Sequence, residues 1–250
     1  MALVKPSQVG LARPAAQERP APFWALIMRT LLFAGFQALF ALLFYFAGKT
    51  EPWSTSTVWW MFTATLTNLV CIGLLDYWMR QEGAGYWDLF RIDRTHWKLD
   101  VLVVLGLLVL SLPLMLIPNF GIATLLFGNA QVAVPLLFQP LPAWAIWTGI
   151  VVFPVTIALA ELPWYFGYAM PRLGQGWGAV LLTAFCLSAQ HAALPLVFDL
   201  RFIIWRATMF SLFAVLLAVA LRWRPRLLAY LVIVHGLLDL ATALTFLSLR

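Results

Sequence analysis

Long apolar runs separated by short polar breaks dominate the chain, and most of the runs are about as long as a bilayer is thick. In order, runs near 24–47, 55–79, 99–116, from 143 to the Pro171-Arg172-Leu173-Gly174 turn, 177–197, 202–221 and 227–247 predict seven transmembrane helices. A crossing needs about 20 apolar residues. The expected fold class is therefore all-α, a polytopic integral membrane helical bundle of seven helices. An eighth is added if a short helix crosses between Pro118 and Pro142. Residues 118–142 carry no charge but hold Asn119, Asn129, Gln131, Gln139 and several prolines and glycines. That is too polar to span and too apolar for an ordinary loop, so it reads either as a re-entrant cap over a cavity or as an interfacial loop.

The polar breaks divide the chain into a polar cytoplasmic segment over 1–22, N-terminal helices over 23–142 and a C-terminal helical core over 143–250. The first apolar run is long enough to span, unlike the short core of a cleavable signal. Arg29, near its start, is placed to snorkel toward the head groups. Asp76 and Arg80, four apart, share a helix face as an interfacial salt bridge. Over 81–98, Trp87, Phe90, Ile92 and Trp97 alternate with Arg91, Arg94 and Lys98, which reads as an amphipathic segment in the interface. His96 belongs to that segment and has no evident partner to tune it. Gly174 can supply a left-handed helix cap. Asp199, Arg201 and Arg206 mark the loop after the fifth helix.

Composition agrees with the pattern: 63% hydrophobic and 10% charged residues, with mean hydropathy +0.90, leave no room for a separate soluble domain. The net charge of +6 is spread in short runs between apolar segments, so it is a topology signal and does not point to nucleic acid. On alternate sides of seven helices the lysines and arginines divide twelve to four. This predicts a cytoplasmic N-terminus in a membrane of the bacterial inner-membrane type, and an outer C-terminus. Cys71 and Cys186 match no disulfide or zinc spacing and read as packing residues.

Four ionisable residues break the apolar runs near mid-membrane. At about 1.5 Å per residue, Glu161 lies roughly 16 Å from the Arg172 end of its helix and His191 roughly 21 Å from Trp177. On the last helix His235 and Asp239 lie roughly 13 and 19 Å from Arg226, and their spacing of four puts them on one face. An intramembrane carboxylate is expensive and marks a site by default. The plain alternatives are packed histidines, and a structural carboxylate paired with Tyr165 or Tyr168. If the four residues meet, two chemistries are open. Glu161 can activate water as a general base beside an imidazole that stabilises the oxyanion, with no cofactor required. Alternatively, Glu161, His191 and His235 are donors for a catalytic zinc with an open position, although the helical His-Glu-x-x-His spacing is absent.

The stretch Glu161-Leu162-Pro163-Trp164-Tyr165-Phe166-Gly167-Tyr168-Ala169-Met170-Pro171-Arg172-Leu173, the group Leu187-Ser188-Ala189-Gln190-His191 with Leu194-Pro195, and His235-Gly236-Leu237-Leu238-Asp239 come in that order. In this, 143–245 resembles the CPBP family of intramembrane proteases, which includes CAAX prenyl endopeptidases and bacteriocin-associated relatives. That family's first motif has two glutamates and then an arginine. Here the first glutamate is kept, while Leu162 and Phe166 stand at the other two positions. Its second motif opens on phenylalanine, here Leu187, and the last motif is matched in full.

The resemblance implies an intramembrane endopeptidase, often classed as a metalloprotease, in which Glu161 activates water, His191 assists, and His235 and Asp239 help form the oxyanion site. Its substrate is expected to be a membrane-embedded or lipidated peptide of CAAX-like or leader type. The replacements at Leu162 and Phe166 open the alternative of a non-catalytic membrane scaffold or immunity-type protein on the same fold. A proton-coupled carrier is a third reading, but the chain shows no clear internal repeat of the kind many carriers have.

Overall fold

The computed structural model describes residues 21–174 and 176–249. The polar segment expected over 1–22, apart from its last two residues, and Arg250 of the charge count lie outside the described residues. These form α1 (Ala21–Phe46), α2 (Pro52–Thr57), α3 (Trp60–Gln81), α4 (Trp97–Phe127), α5 (Ala143–Leu162), α6 (Met170–Leu173), α7 (Trp177–Ala189), α8 (Leu200–Thr208), α9 (Ser211–Trp223) and α10 (Leu228–Leu244), with no strand among them. Five rods are long and apolar enough to cross a membrane: Phe23–Phe46, Trp97–Phe127, Ala143–Leu173, Leu200–Trp223 and Pro225–Leu249. The α3 helix has the length but not the apolarity, because Thr63, Thr65, Thr67 and Asn68 interrupt it, all four buried. The apolar helix Trp177–Ala193 is shorter than the others.

Burial differs from that of a water-soluble bundle: apolar side chains cover the outside as well as filling the core, and several polar groups lie within. Leu102, Val109, Leu125 and Phe185 are exposed, while Arg29, Gln37, Asn68, Asp100, Glu161 and Gln190 are buried. Apolar side chains facing outward need an apolar solvent, and polar groups inside one must satisfy each other. The protein is thus a helical membrane protein.

Several expected boundaries move, each for a local reason. The third helix, expected over 99–116, runs on to Phe127 through Pro113 and Pro118, since in a membrane helix neighbouring groups can re-satisfy the backbone that a proline frees. It stops at Gly128, whose φ of +75° only glycine adopts at low cost. The uncharged stretch 118–142 therefore holds more helix than expected, and its Leu137 and Phe138 line the cavity that contains Glu161. Its first part is helix, and after Gly128 it forms a 3-10 turn over Ala130–Leu136. This region packs on α8 through Ala123, Phe202, Trp205 and Met209, with the Trp205 indole N–H donating to Asn119 Oδ1 at 2.9 Å.

The fifth helix, expected to reach 197, ends at Ala189 in a 3-10 turn over Gln190–Ala193. The chain beyond is pinned by Gln37, whose amide donates to the Leu196 carbonyl at 2.8 Å and accepts from its N–H at 2.7 Å. Arg206, expected in the following loop, lies within α8 and is buried. Asp199 caps that helix by accepting from the Arg201 and Phe202 N–H groups.

The fourth rod carries the most informative irregularity. Between α5 and α6 the chain widens into a π-helical turn over Pro163–Ala169. Pro163 has no N–H for the Leu159 carbonyl one turn back. The Tyr86 hydroxyl donates to that carbonyl instead, at 2.5 Å. At the rod's end Gly174 has φ +119° and ψ −177°, a conformation open to glycine but outside the left-handed helical well expected of it.

The interfacial segment forms a 3-10 turn over Tyr86–Phe90, with Trp87, Ile92 and Trp97 exposed. His96 is not without a partner: its Nδ1 lies 2.7 Å from Asp93 Oδ2. Asp93 also pairs with Arg226 at 3.3 Å, and Arg226 reaches the buried Asp100 at 2.9 Å. This cluster ties the segment to the turn before α10. The hydrogen bonds from His96 and from the Thr95 N–H hold the Asp93 carboxyl down at about 2. Asp76 and Arg80 pair on the exposed surface at 2.8 Å.

Candidate functional site

Glu161 sits at the last turn of α5, just before the π-helical widening, and is 3% exposed. Its two oxygens have different surroundings. Oε2 accepts from the Gln190 amide at 2.8 Å and lies 3.5 Å from Arg29 Nη2. Oε1 lies 3.2 Å from His235 Nε2. The same nitrogen is 3.4 Å from Asp239 Oδ2, so His235 stands between two carboxylates, though its N–H aims squarely at neither. That contact depends on Gly236, the next residue of α10. A Cβ there would stand 3.0 Å from the Ala158 Cβ of α5, so the missing side chain allows the two helices to approach.

Behind Glu161 lies a buried polar network that sequence reasoning missed. Arg29 is fully buried, not snorkelling, and donates from Nε to Gln190 Oε1 at 2.9 Å and from Nη2 to Asn68 Oδ1 at 3.0 Å. Tyr165 donates to Gln190 Oε1 at 3.2 Å and does not reach Glu161, and Tyr168 bonds Glu82. The expected alternative of a Glu161–tyrosine pair is thus replaced by an Arg29–Gln190 clamp. The signals were present: Gln190 adjoins His191, and Asn68 ends a threonine-rich stretch of α3.

His191 is on the 3-10 turn after α7. Its Nδ1 lies 3.0 and 3.1 Å from the Leu187 and Ser188 carbonyls, and its ring packs on Phe210. Carbonyls only accept, so Nδ1 carries the hydrogen and a neutral ring keeps a lone pair on Nε2. Glu161, His191, His235 and Asp239 all line one cavity, together with Arg206 and an apolar wall that includes Trp60, Phe153 and Phe213. The four residues predicted from depth are therefore brought together. His96 is remote from the cavity wall, in the interfacial cluster.

Among the described residues no group of three or more His, Cys, Asp and Glu side chains is arranged as metal ligands. Cys71 and Cys186 are free thiols. Compared with known proteins, the chain matches no family model, no curated protein and no solved structure.

Proposed function

We propose that the protein is an intramembrane endopeptidase of seven crossing helices with a cytoplasmic N-terminus, and that Glu161 activates the water that attacks the peptide bond. The observation that carries this reading is the convergence of Glu161, His235, Asp239 and His191 on a single cavity. With Oε2 occupied by Gln190 and Arg29, Oε1 is the oxygen that takes the water proton. The hydroxide adds to the carbonyl carbon, and Glu161 then passes the proton to the leaving amine. The His235 N–H, beside Oε1, stabilises the negative charge on the former carbonyl oxygen. His191 Nε2 accepts from the water and orients it. Asp239, 3.4 Å from His235 Nε2, places a second negative charge beside that imidazole. Removing Arg29 from one side of the lysine and arginine count and Arg206 from the other still leaves eleven against three, which supports the orientation.

The test uses the protein in liposomes with a mixture of internally quenched apolar peptides, read by fluorescence and by mass analysis of new termini. Glu161→Gln keeps the shape of the site and should slow cleavage by about 10² to 10⁴-fold. Equal rates for the two proteins would refute the assignment. One observation favours the scaffold reading: Leu162 and Phe166 are packed in the apolar core, where the resembled motif has a glutamate and an arginine. Cleavage by the natural protein eliminates that reading, and its absence across the peptide mixture supports it.

A further inference from the structure

Among the described residues lining the cavity, Arg206 is the one ionisable side chain that the hydrolytic scheme does not use. It is 6% exposed. Its Nε donates to the His191 carbonyl at 3.3 Å, its Nη2 to the Leu194 carbonyl at 2.5 Å, and its Nη1 to Met209 Sδ at 3.2 Å. A guanidinium has five N–H groups, so one on each terminal nitrogen is uncommitted. All three acceptors are neutral. The two carboxylates sharing the cavity are engaged elsewhere, Glu161 with Arg29 and His235, and Asp239 with His235. Among the described residues no carboxylate lies within ion-pair distance of Arg206. Two carbonyls, a thioether and the Trp205 ring, whose centroid lies 5.8 Å from the guanidinium carbon, hold the group in place but supply no anion, and burying a cation without one is costly. Bracing the His191 turn needs donors but not a cation, so the brace alone leaves the charge unexplained.

We propose that Arg206 is the receptor for a carboxylate of the bound peptide, either its free C-terminus or an acidic side chain. This rests on the peptidase reading for the ligand being a peptide. Two N–H groups on the two terminal nitrogens suit a carboxylate, which accepts from such a fork through both oxygens. A phosphate is the weaker candidate, because Glu161 and Asp239 in the same cavity repel a second negative charge more than a first. The site thus selects among apolar peptides by one anionic group, held in the cavity that carries the Glu161 and His235 pair.

The experiment measures binding to the Glu161→Gln protein in detergent by fluorescence anisotropy, so that no turnover interferes. Three labelled tetraleucine probes are used: the free acid, the C-terminal amide, and an amide with one leucine replaced by aspartate. The free acid or the aspartate amide should bind about tenfold or more tighter than the plain amide, and which of them does so names the source of the carboxylate. In Arg206→Gln, which keeps an amide donor for the turn, the preference should vanish, and Arg206→Lys should retain part of it. Equal binding of all three probes with Arg206 intact overturns the proposal. So does a preference that survives Arg206→Gln, a failure of every probe to bind the folded protein, or displacement by inorganic phosphate without any carboxylate preference. Cleavage by the Glu161-intact protein is assayed separately. Acid preference without cleavage keeps the carboxylate site and removes the peptidase reading, whereas cleavage without acid preference does the reverse.

Discussion

Substituting Glu161 and Arg29 singly and together tests whether the site is a coupled ion pair or a set of independent contacts. The charged atoms are 3.5 Å apart and both side chains are buried. At an effective dielectric near 20, charges at that separation attract by about 5 kcal/mol. Glu161→Ala removes the countercharge but leaves Asn68 and Gln190 accepting from the guanidinium. The loss should therefore fall at the low end of the 3–5 kcal/mol typical of a broken buried pair, about 3 kcal/mol. For a chain of this size that is a fall of about 6–12 °C in Tm. Glu161→Gln keeps an oxygen for Gln190 and Arg29 and should cost only about 1–2 kcal/mol, which is why the activity test uses glutamine. Arg29→Met should cost at least as much as Glu161→Ala, because it takes the arginine from the carboxylate and also leaves Asn68 Oδ1 and Gln190 Oε1 without their donor. Combined with Glu161→Gln it should cost about 1–3 kcal/mol less than the sum of the two. Thermal unfolding in one detergent, followed by circular dichroism, reads the four variants against the natural protein. Strictly additive losses would refute the coupling and with it the view that Arg29 balances Glu161.

Three other outcomes follow from single contacts. Gly236→Ala, whose new Cβ meets Ala158 at 3.0 Å, should force α10 from α5, cost about 1–3 kcal/mol and weaken cleavage; an unchanged Tm and rate would show that the helices have room to spare. Tyr86→Phe removes the donor to the Leu159 carbonyl beside the π-helical turn, so about 1–3 kcal/mol should be lost in thermal unfolding, and no loss would mean the carbonyl needs no partner. The Asp93 carboxyl is held at about 2, below its unfolded value of about 3.9, so its contribution to loop order is full above the unfolded value and is lost as pH falls through the folded one. Protease nicking within 83–97 by an acid-active enzyme should therefore rise as pH falls from about 4 toward 2, while Asp93→Asn should be nicked to a similar extent throughout; parallel pH profiles would exclude the His96–Asp93 contact as the cause.

Depth was legible in the sequence because a helix rises by a fixed step, so position along an apolar run converts directly into position across a bilayer. Glu161, His191, His235 and Asp239 were found that way. Facing was not legible. In α1 only Arg29, Thr30 and Gln37 interrupt the apolar run; Arg29 and Gln37, eight apart, do share a side, but an arginine near one end of such a run fits a snorkelling side chain as well as an inward one. Arg29 and Arg206 were both assigned to membrane ends for that reason, and packing turned both inward. Helix ends were misjudged where backbone chemistry overrides apolarity. The α4 helix passes through two prolines, and the fifth helix stops early although its sequence stays apolar.

The same distinction bears on the two departures from the resembled motif. Phe166, where that motif has an arginine, is packed in the apolar core with Leu162. A guanidinium nevertheless reaches Glu161, arriving from α1 instead of from the turn below it. Charge balance at a buried carboxylate needs a cation at a given distance and does not specify which helix supplies it. A change in the sequence near Glu161 can therefore leave the electrostatics of the site intact, provided that Arg29 is held by Asn68 and Gln190 as it is here. This is why the motif alone does not decide between a working site and a relic, and why substitutions at Arg29 carry more information about Glu161 than substitutions at Leu162 or Phe166.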